Sequence, residues 1–144
     1  NLSSGEKRKL ALASALMTSP EVLILDEPTA GMDASGRKEL IKIIASFKDT
    51  TVIIVTHNQE DFLSIVDRVI GISKGSKVID ALREELVDLL KTMDGAGIIP
   101  PLVLSVQHWL KQADCGIEGI YLTMEDLTGH IRNVVRSTGG HDKR

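Results

Sequence analysis

Asp26 and Glu27 are adjacent carboxylates that follow directly on the apolar run Val22-Leu23-Ile24-Leu25. A short run of Val, Leu and Ile fits a strand buried on both faces of a parallel sheet, and ligands of such sheets gather at the carboxyl ends of the strands. Two acids at that point can divide the labour of a hydrolysis. Phosphoryl transfer to water needs a metal, a positioned water and charge stabilisation rather than a covalent nucleophile. One carboxylate can then serve the metal and the other the water. His57 ends a second β-branched strand, Thr51 to Thr56, which places it at the same sheet edge as Glu27. Each of these residues also has a plainer alternative: two solvated acids at a strand end, and a lone histidine in a structural role.

A second group lies twenty residues before the carboxylates, in Leu2-Ser3-Ser4-Gly5-Glu6. Serine followed three residues on by glutamate is a capping-box pattern, and the Ala/Leu-rich stretch behind it, to about Thr18, has strong helix propensity. A helix N-terminus favours anions, and Gly5 leaves room for a phosphate to come close. Taken alone, the string is most often only a helix cap.

The elements that must position these groups read as follows. Pro20 closes the first helix, a strand runs from Glu21 to Asp26, and a turn spans Pro28 to Gly31. Asp33 is a candidate N-cap for a helix from Ala34 to Phe47, with Leu40, Ile41, Ile44 and Phe47 on one buried face. After the strand Thr51 to Thr56 comes a short helix from Gln59 to Val66. Strand, helix, strand in this rhythm predicts a parallel α/β sheet. Arg68 to Ser73 and Ser76 to Ile79 then form a hairpin through Lys74-Gly75, where the glycine can take positive φ. Beyond Asp80 the pattern turns helical. Ala81 to about Met93 is predicted helix, Asp94 to Gly97 a breaker, and Pro100-Pro101 the start of a helix with Leu102, Val106, Trp109 and Leu110 on one face. Thr123 with Asp126 caps a last helix to about Val135, and Gly139 to Arg144 is expected to be a disordered tail. There is no internal repeat and no low-complexity segment.

At 144 residues, 42% hydrophobic and 26% charged, the chain has the composition of a soluble globular domain or part of one. A net charge of −3 and a pI near 5.8 argue against nucleic acid as a partner, since such proteins show a basic face. The single cysteine, Cys115, cannot form an internal disulfide, fits a reducing setting and reads as a small packing residue. The longest apolar stretches, Val52 to Val55 and Ile98 to Val106, fall far short of the ~20 residues that span a bilayer. His108, His130 and His141 have no chemical context and read as structural.

Gly31-Met32-Asp33-Ala34-Ser35-Gly36-Arg37-Lys38 imitates the spacing of a phosphate-binding P-loop but fails where the chemistry is done. A P-loop needs lysine followed by a hydroxyl residue that ligates Mg²⁺, and this segment offers Arg37 and Lys38 instead.

Read in order, Leu2 to Glu6, the strand ending in Asp26-Glu27-Pro28-Thr29, Ala30 to Asp33, and Thr56-His57 resemble the signature motif, Walker B strand, D-loop and switch histidine of the ATP-binding-cassette (ABC) ATPases. The resemblance covers Leu2 to about Asp80. It implies the C-terminal part of a P-loop NTPase parallel-sheet core at residues 1–80, with ATP and Mg²⁺ as cofactors. Leu2, Ser3, Ser4, Gly5 and Glu6 would then meet the γ-phosphate held by a second ABC ATPase subunit, and Asp33 would reach across the same dimer interface. Asp26 would orient the Mg²⁺ shell, Glu27 would be the general base, and His57 would contact the γ-phosphate and help to hold the glutamate. The chain departs from the family's common pattern by conservative exchanges, with Ser4 where glycine is usual and Glu6 where glutamine is usual. The family's P-loop and glutamine loop precede the signature motif, so the chain is expected to be a fragment that is inactive alone.

Residues 81–136, with a Pro-Pro helix, a Gly-Ile loop and the Leu-Thr-Met-Glu-Asp-Leu segment Leu122 to Leu127, are similar to the C-terminal extension of energy-coupling-factor and cobalt-type importer ATPases. That similarity implies a small, mostly helical dimerisation region, a tail at 137–144, and vitamin or transition-metal-ion uptake. It also implies an integral membrane component as partner and a peripheral place on the inner face of the membrane. The alternatives are a non-transport ABC ATPase, expected to show a long coiled coil or a basic segment, and a regulatory module without turnover of its own.

Overall fold

The structure, a computed structural model, describes residues 3–138. Leu2 and the expected tail from Gly139 lie outside the described residues, as does His141. Two compact units divide the chain, residues 1–65 and 66–144.

The first unit runs α1 (Ser4–Leu16), β1 (Val22–Asp26), α2 (Ala34–Ala45), β2 (Thr51–Val55) and the single turn α3 (Gln59–Phe62). β1 and β2 pair in parallel from Val22↔Thr51 to Asp26↔Val55, with α2 as the crossover. The ladder is prolonged at both ends: the Thr51 amide donates to the Glu21 carbonyl at 2.8 Å and the Glu27 amide to the Val55 carbonyl at 2.8 Å. The second of these bonds fixes Glu27 beside the end of β2. Leu12, Leu23, Met32, Leu40, Ile44, Phe62 and Leu63 form the buried apolar set of this unit. The expected helix Gln59 to Val66 stops at Phe62 and continues as turns through Ile65.

β1 is not buried on both faces. Leu23 is buried, whereas Val22 and Ile24 are 53% and 66% exposed, and Ile53 and Val55 of β2 are 47% and 53% exposed. Strand side chains alternate, so these four residues share one face, which is uncovered among the described residues.

The second unit holds the antiparallel hairpin β3 (Arg68–Ser73) and β4 (Ser76–Leu82), then α4 (Leu90–Gly95), α5 (Leu102–Gln112) and α6 (Met124–Thr138). Lys74 and Gly75 both take positive φ, 50° and 75°, the type I′ pattern that matches the twist of a two-residue hairpin. Gly71 sits in a tight place: a Cβ there would stand 3.0 Å from both Ile79 Cβ and Ile98 Cδ1.

The helix expected over Ala81 to Met93 is replaced by β4 through Leu82, a 3₁₀ turn at Arg83–Glu85, and α4 only from Leu90. Cross-strand pairing of Ala81 with Val69 and Leu82 with Arg68 prolongs the ladder and overrides the local helix propensity. The face expected on α5 is also rotated. Leu102 and Trp109 are 57% and 65% exposed, while Val103, Leu104 and Gln107 are buried. Gln107 can go inside because its amide is satisfied: Nε2 donates to the Val103 carbonyl at 3.1 Å and to the Tyr121 carbonyl, and Oε1 accepts from the Tyr121 amide at 2.8 Å. Cys115 is exposed rather than a packing residue. His108 and His130 have structural partners, the Gln112 amide at 2.7 Å and the Tyr121 ring at 5.0 Å between centroids.

Asp80 accepts from Arg68 Nε and Lys77 Nζ, both at 2.6 Å. The Arg68 hydrogen bond first, then that of Lys77, lowers its carboxyl from an ordinary 3.8 to about 2. A carboxyl whose folded pKa is depressed stabilises the fold above its unfolded pKa, and that stability is lost as pH falls through the folded value. Urea midpoints of the protein should therefore decline as pH falls from about 4 to about 2, and Asp80→Asn should flatten that part of the decline. An identical acid profile in the variant would contradict this.

Candidate active site

The parallel pairing of β1 and β2 puts Glu27 and His57 at one edge of the sheet, as the sequence predicts. Glu27 is the first residue beyond β1 and adopts φ 43°, a left-handed conformation that costs a non-glycine residue on the order of 1–3 kcal/mol. The neighbours over-determine it. Glu27 Oε1 accepts from the His57 amide at 2.9 Å, and Oε2 accepts from Thr56 Oγ1 at 3.1 Å. Thr56 Oγ1 is itself fixed by the Asn58 amide at 2.9 Å. The His57 ring is fully exposed, with Nε2 3.8 Å from Glu27 Oε1. His57 thus holds the glutamate through its backbone N–H and leaves its ring free to face outward.

Asp26 is exposed at the last position of β1, opposite Val55. Three or more His, Cys, Asp or Glu side chains do not cluster into a metal cage among the described residues. Mg²⁺ needs no such cage, since it keeps most of its waters and is held by one or two carboxylates together with substrate phosphates. Asp26, exposed at the end of β1 beside Glu27, is a carboxylate that could take this role.

At the start of α1, the Ser3 hydroxyl accepts from the Glu6 amide at 3.2 Å and the Ser3 amide donates to Glu6 Oε2 at 2.8 Å, closing the capping box. The Ser3 amide is the main reason that the Glu6 carboxyl lies below its ordinary range, with the Ser3 side-chain bond second. Glu6 therefore adds a negative charge to the helix N-terminus, where glutamine would add none. Ser4 opens the helix, and at Gly5 the space a Cβ would occupy is open. Asp33 caps α2, with Oδ1 accepting from the Gly36 amide at 2.8 Å. Gly36 lies in the first turn of that helix, so the segment Gly31 to Lys38 is a turn and a capped helix, not a P-loop.

The structure adds residues that the sequence analysis did not single out. Arg8 of α1 donates from Nη1 to the carbonyls of Glu27 at 2.7 Å and Pro28 at 2.8 Å. Thr29, 3% exposed, donates to Asp61 Oδ2 at 2.9 Å, and Asp61 Oδ1 lies 3.6 Å from Arg37 Nη1. Thr56 belongs with them as the second donor to Glu27. Thr29 and Thr56 lie within motifs read from the sequence, but their hydrogen-bond partners are not written locally. Nothing in the spacing pairs Arg8 with Glu27, nineteen residues away. Thr29→Val should lower the stability of the protein by roughly 1–3 kcal/mol, because it strands a part-buried carboxylate oxygen. A urea titration checks this, and an unchanged midpoint would contradict it.

Comparison with known proteins matches residues 1–60 to the family described as "AAA domain, putative AbiEii toxin, Type IV TA system". That stretch contains the whole of the edge described above. Over 98% of its length the chain is 35% identical to the energy-coupling factor transporter ATP-binding protein EcfA2 of a Bacillus cereus strain, covering 49% of that protein. The chain is therefore similar to the energy-coupling factor transporter ATP-binding proteins. The EcfA2 of Symbiobacterium thermophilum is 33% identical over 99% of the chain and 50% of its own length. That of Caldanaerobacter subterraneus subsp. tengcongensis is 33% identical over 95% and 49%. The chain spans about half the length of these curated relatives. The match to the energy-coupling factor proteins runs through both units, whereas the AAA match ends at residue 60. That similarity runs through both the motif-bearing stretch and the C-terminal segment on which the resemblance rests. An α/β fold with a parallel strand pair and a helical C-terminal region goes with it.

Proposed function

We propose that this chain is part of the ATP-hydrolysing motor subunit of an energy-coupling-factor-type importer, driving uptake of a vitamin or a transition-metal ion. One observation carries the reading: the Glu27 carboxylate is held at the carboxyl end of β1 by Thr56 Oγ1 and the His57 amide. Each oxygen keeps a free lone pair, so the group can take a proton from a water while its own position stays fixed. In hydrolysis that water attacks the γ-phosphorus of ATP, the bond to the bridging oxygen of ADP breaks, and the water's proton passes to Glu27. Asp26 would hold Mg²⁺, which neutralises phosphate charge when bound. The exposed His57 ring and the N-terminus of α1, with Ser3, Ser4 and Gly5, would donate hydrogen bonds to the γ-phosphate. Leu2 and Glu6 would flank that contact, and Asp33 would stand at the dimer interface.

The partners in this reading are a second ABC ATPase subunit and an integral membrane component, with no nucleic acid. Residues 1–80 would complete the nucleotide-binding domain, and 81–136 would support the dimer. No helix among the described residues is long and apolar enough to cross a membrane, which agrees with peripheral binding at the inner face. The full-length protein, reconstituted in vesicles with its membrane component, should couple ATP hydrolysis to uptake of labelled vitamin or metal ion. Hydrolysis that never drives uptake would favour a non-transport ATPase, the reading to which the AAA-family match over residues 1–60 leans.

A further inference from the structure

Arg8 stands four residues, one helical turn, beyond Ser4 at the start of α1. A single nitrogen of its guanidinium bridges two consecutive carbonyls, those of Glu27 and Pro28, at 2.7 and 2.8 Å. Two successive carbonyls can face one donor here because the chain turns at the left-handed Glu27. A fixed cation between them offsets the repulsion of their dipoles and holds the turn. The carboxylate end of Glu27 is fixed by Thr56 and His57, and its backbone end by Arg8.

We infer that Arg8 is a positioning residue for hydrolysis, setting the Glu27 peptide in its own subunit while the N-terminus of the same helix serves the nucleotide of the other subunit. The inference rests on the reading of Glu27 as general base and goes beyond it. α1 becomes a rigid link: about 6 Å of helix axis separates the end that meets one ATP from the side chain that aims the base at another. A shift of α1 at one nucleotide is then transmitted to Glu27 at the second.

The test uses the full-length protein with its partner ATPase and Mg-ATP, comparing Arg8→Gln, Arg8→Lys and Glu27→Gln. Arg8→Gln should lower kcat about 10- to 100-fold, the effect of misplacing a reacting group by about 1 Å, with ATP affinity within about twofold of wild type. Arg8→Lys should recover part of the loss, because an ammonium can still donate to the same carbonyls. In a mixed dimer with one altered subunit, the loss should fall on the site containing that subunit's own Glu27. Wild-type kcat in both Arg8 variants, or a loss confined to the opposite site, overturns the inference. So does a drop in ATP binding and melting temperature with kcat per folded dimer unchanged, which is what a merely structural arginine gives. Should Arg8→Gln not fold, Arg8→Lys decides: reduced kcat at unchanged ATP affinity supports the role, and wild-type kcat removes it. Normal turnover in Glu27→Gln would instead show that the general-base reading itself is wrong, whereas an inactive Glu27→Gln beside a normal Arg8→Gln would sink only the role of Arg8.

Discussion

Glu27→Gln is expected to lower ATP turnover of the full-length protein by roughly 10²- to 10⁴-fold, the contribution of a positioned general base, while ATP binding stays intact. The hydrogen bonds around Glu27 explain why binding should survive. The His57 amide must donate, so the glutamine carbonyl oxygen takes the place of Oε1. The new NH₂ then faces Thr56 Oγ1, a hydroxyl that can turn to accept while still accepting from the Asn58 amide. The side chain is held as before and the left-handed backbone at Glu27 is untouched. What disappears is the basicity of the group. Single-turnover phosphate release measured beside equilibrium ATP binding checks this, and near-normal release would remove Glu27 from the role of base.

The second large effect concerns the other subunit. A Cβ at Gly5 meets open space, and leucine is a better helix former than glycine, so Gly5→Leu should leave α1 in place. Any loss then reports on what approaches the helix from outside. In a mixed dimer with Gly5→Leu in one subunit, which leaves the Ser3 cap of α1 intact, hydrolysis should fall at the nucleotide bound by the unaltered subunit. Loss of charge-stabilising donors of this kind typically costs roughly 10²- to 10³-fold. Silencing either site with Glu27→Gln identifies which one has failed. Equal loss at both sites, or loss at the altered subunit's own nucleotide, would count against the assignment of the α1 N-terminus. The contrast with Arg8 is sharp: residues one turn apart on one helix should act on opposite nucleotides.

Much of this site was legible because its motifs are local. The capping box at Ser3 and Glu6, the N-cap at Asp33 and the apolar run ending at Asp26 are each written within a few residues. The structure forms all three. The parallel pairing that joins Glu27 to His57 followed from the strand-helix-strand rhythm. What the sequence hid depends on contacts between distant residues. Arg8 reaches Glu27 across nineteen positions and Thr29 reaches Asp61 across thirty-two, and neither pair leaves a periodic trace. The segment after Asp80 misled for a related reason. Its residues have helical propensity, but pairing with β3 and the Arg68–Asp80–Lys77 ion cluster hold it as strand to Leu82. Trp109 reads as a core residue by type yet is exposed, whereas Gln107 is buried because the Tyr121 backbone satisfies its amide.

In the proposed arrangement, Glu27 and His57 in one subunit and the start of α1 in another would form one shared ATP-hydrolysis site. The most direct measurement is phosphate release per chain as the concentration of the full-length ATPase is varied under saturating Mg-ATP. A shared site predicts that turnover per chain rises with concentration, saturates as dimers form, and vanishes in Glu27→Gln at every concentration. Turnover per chain that is independent of concentration down to the fully monomeric protein would contradict the account.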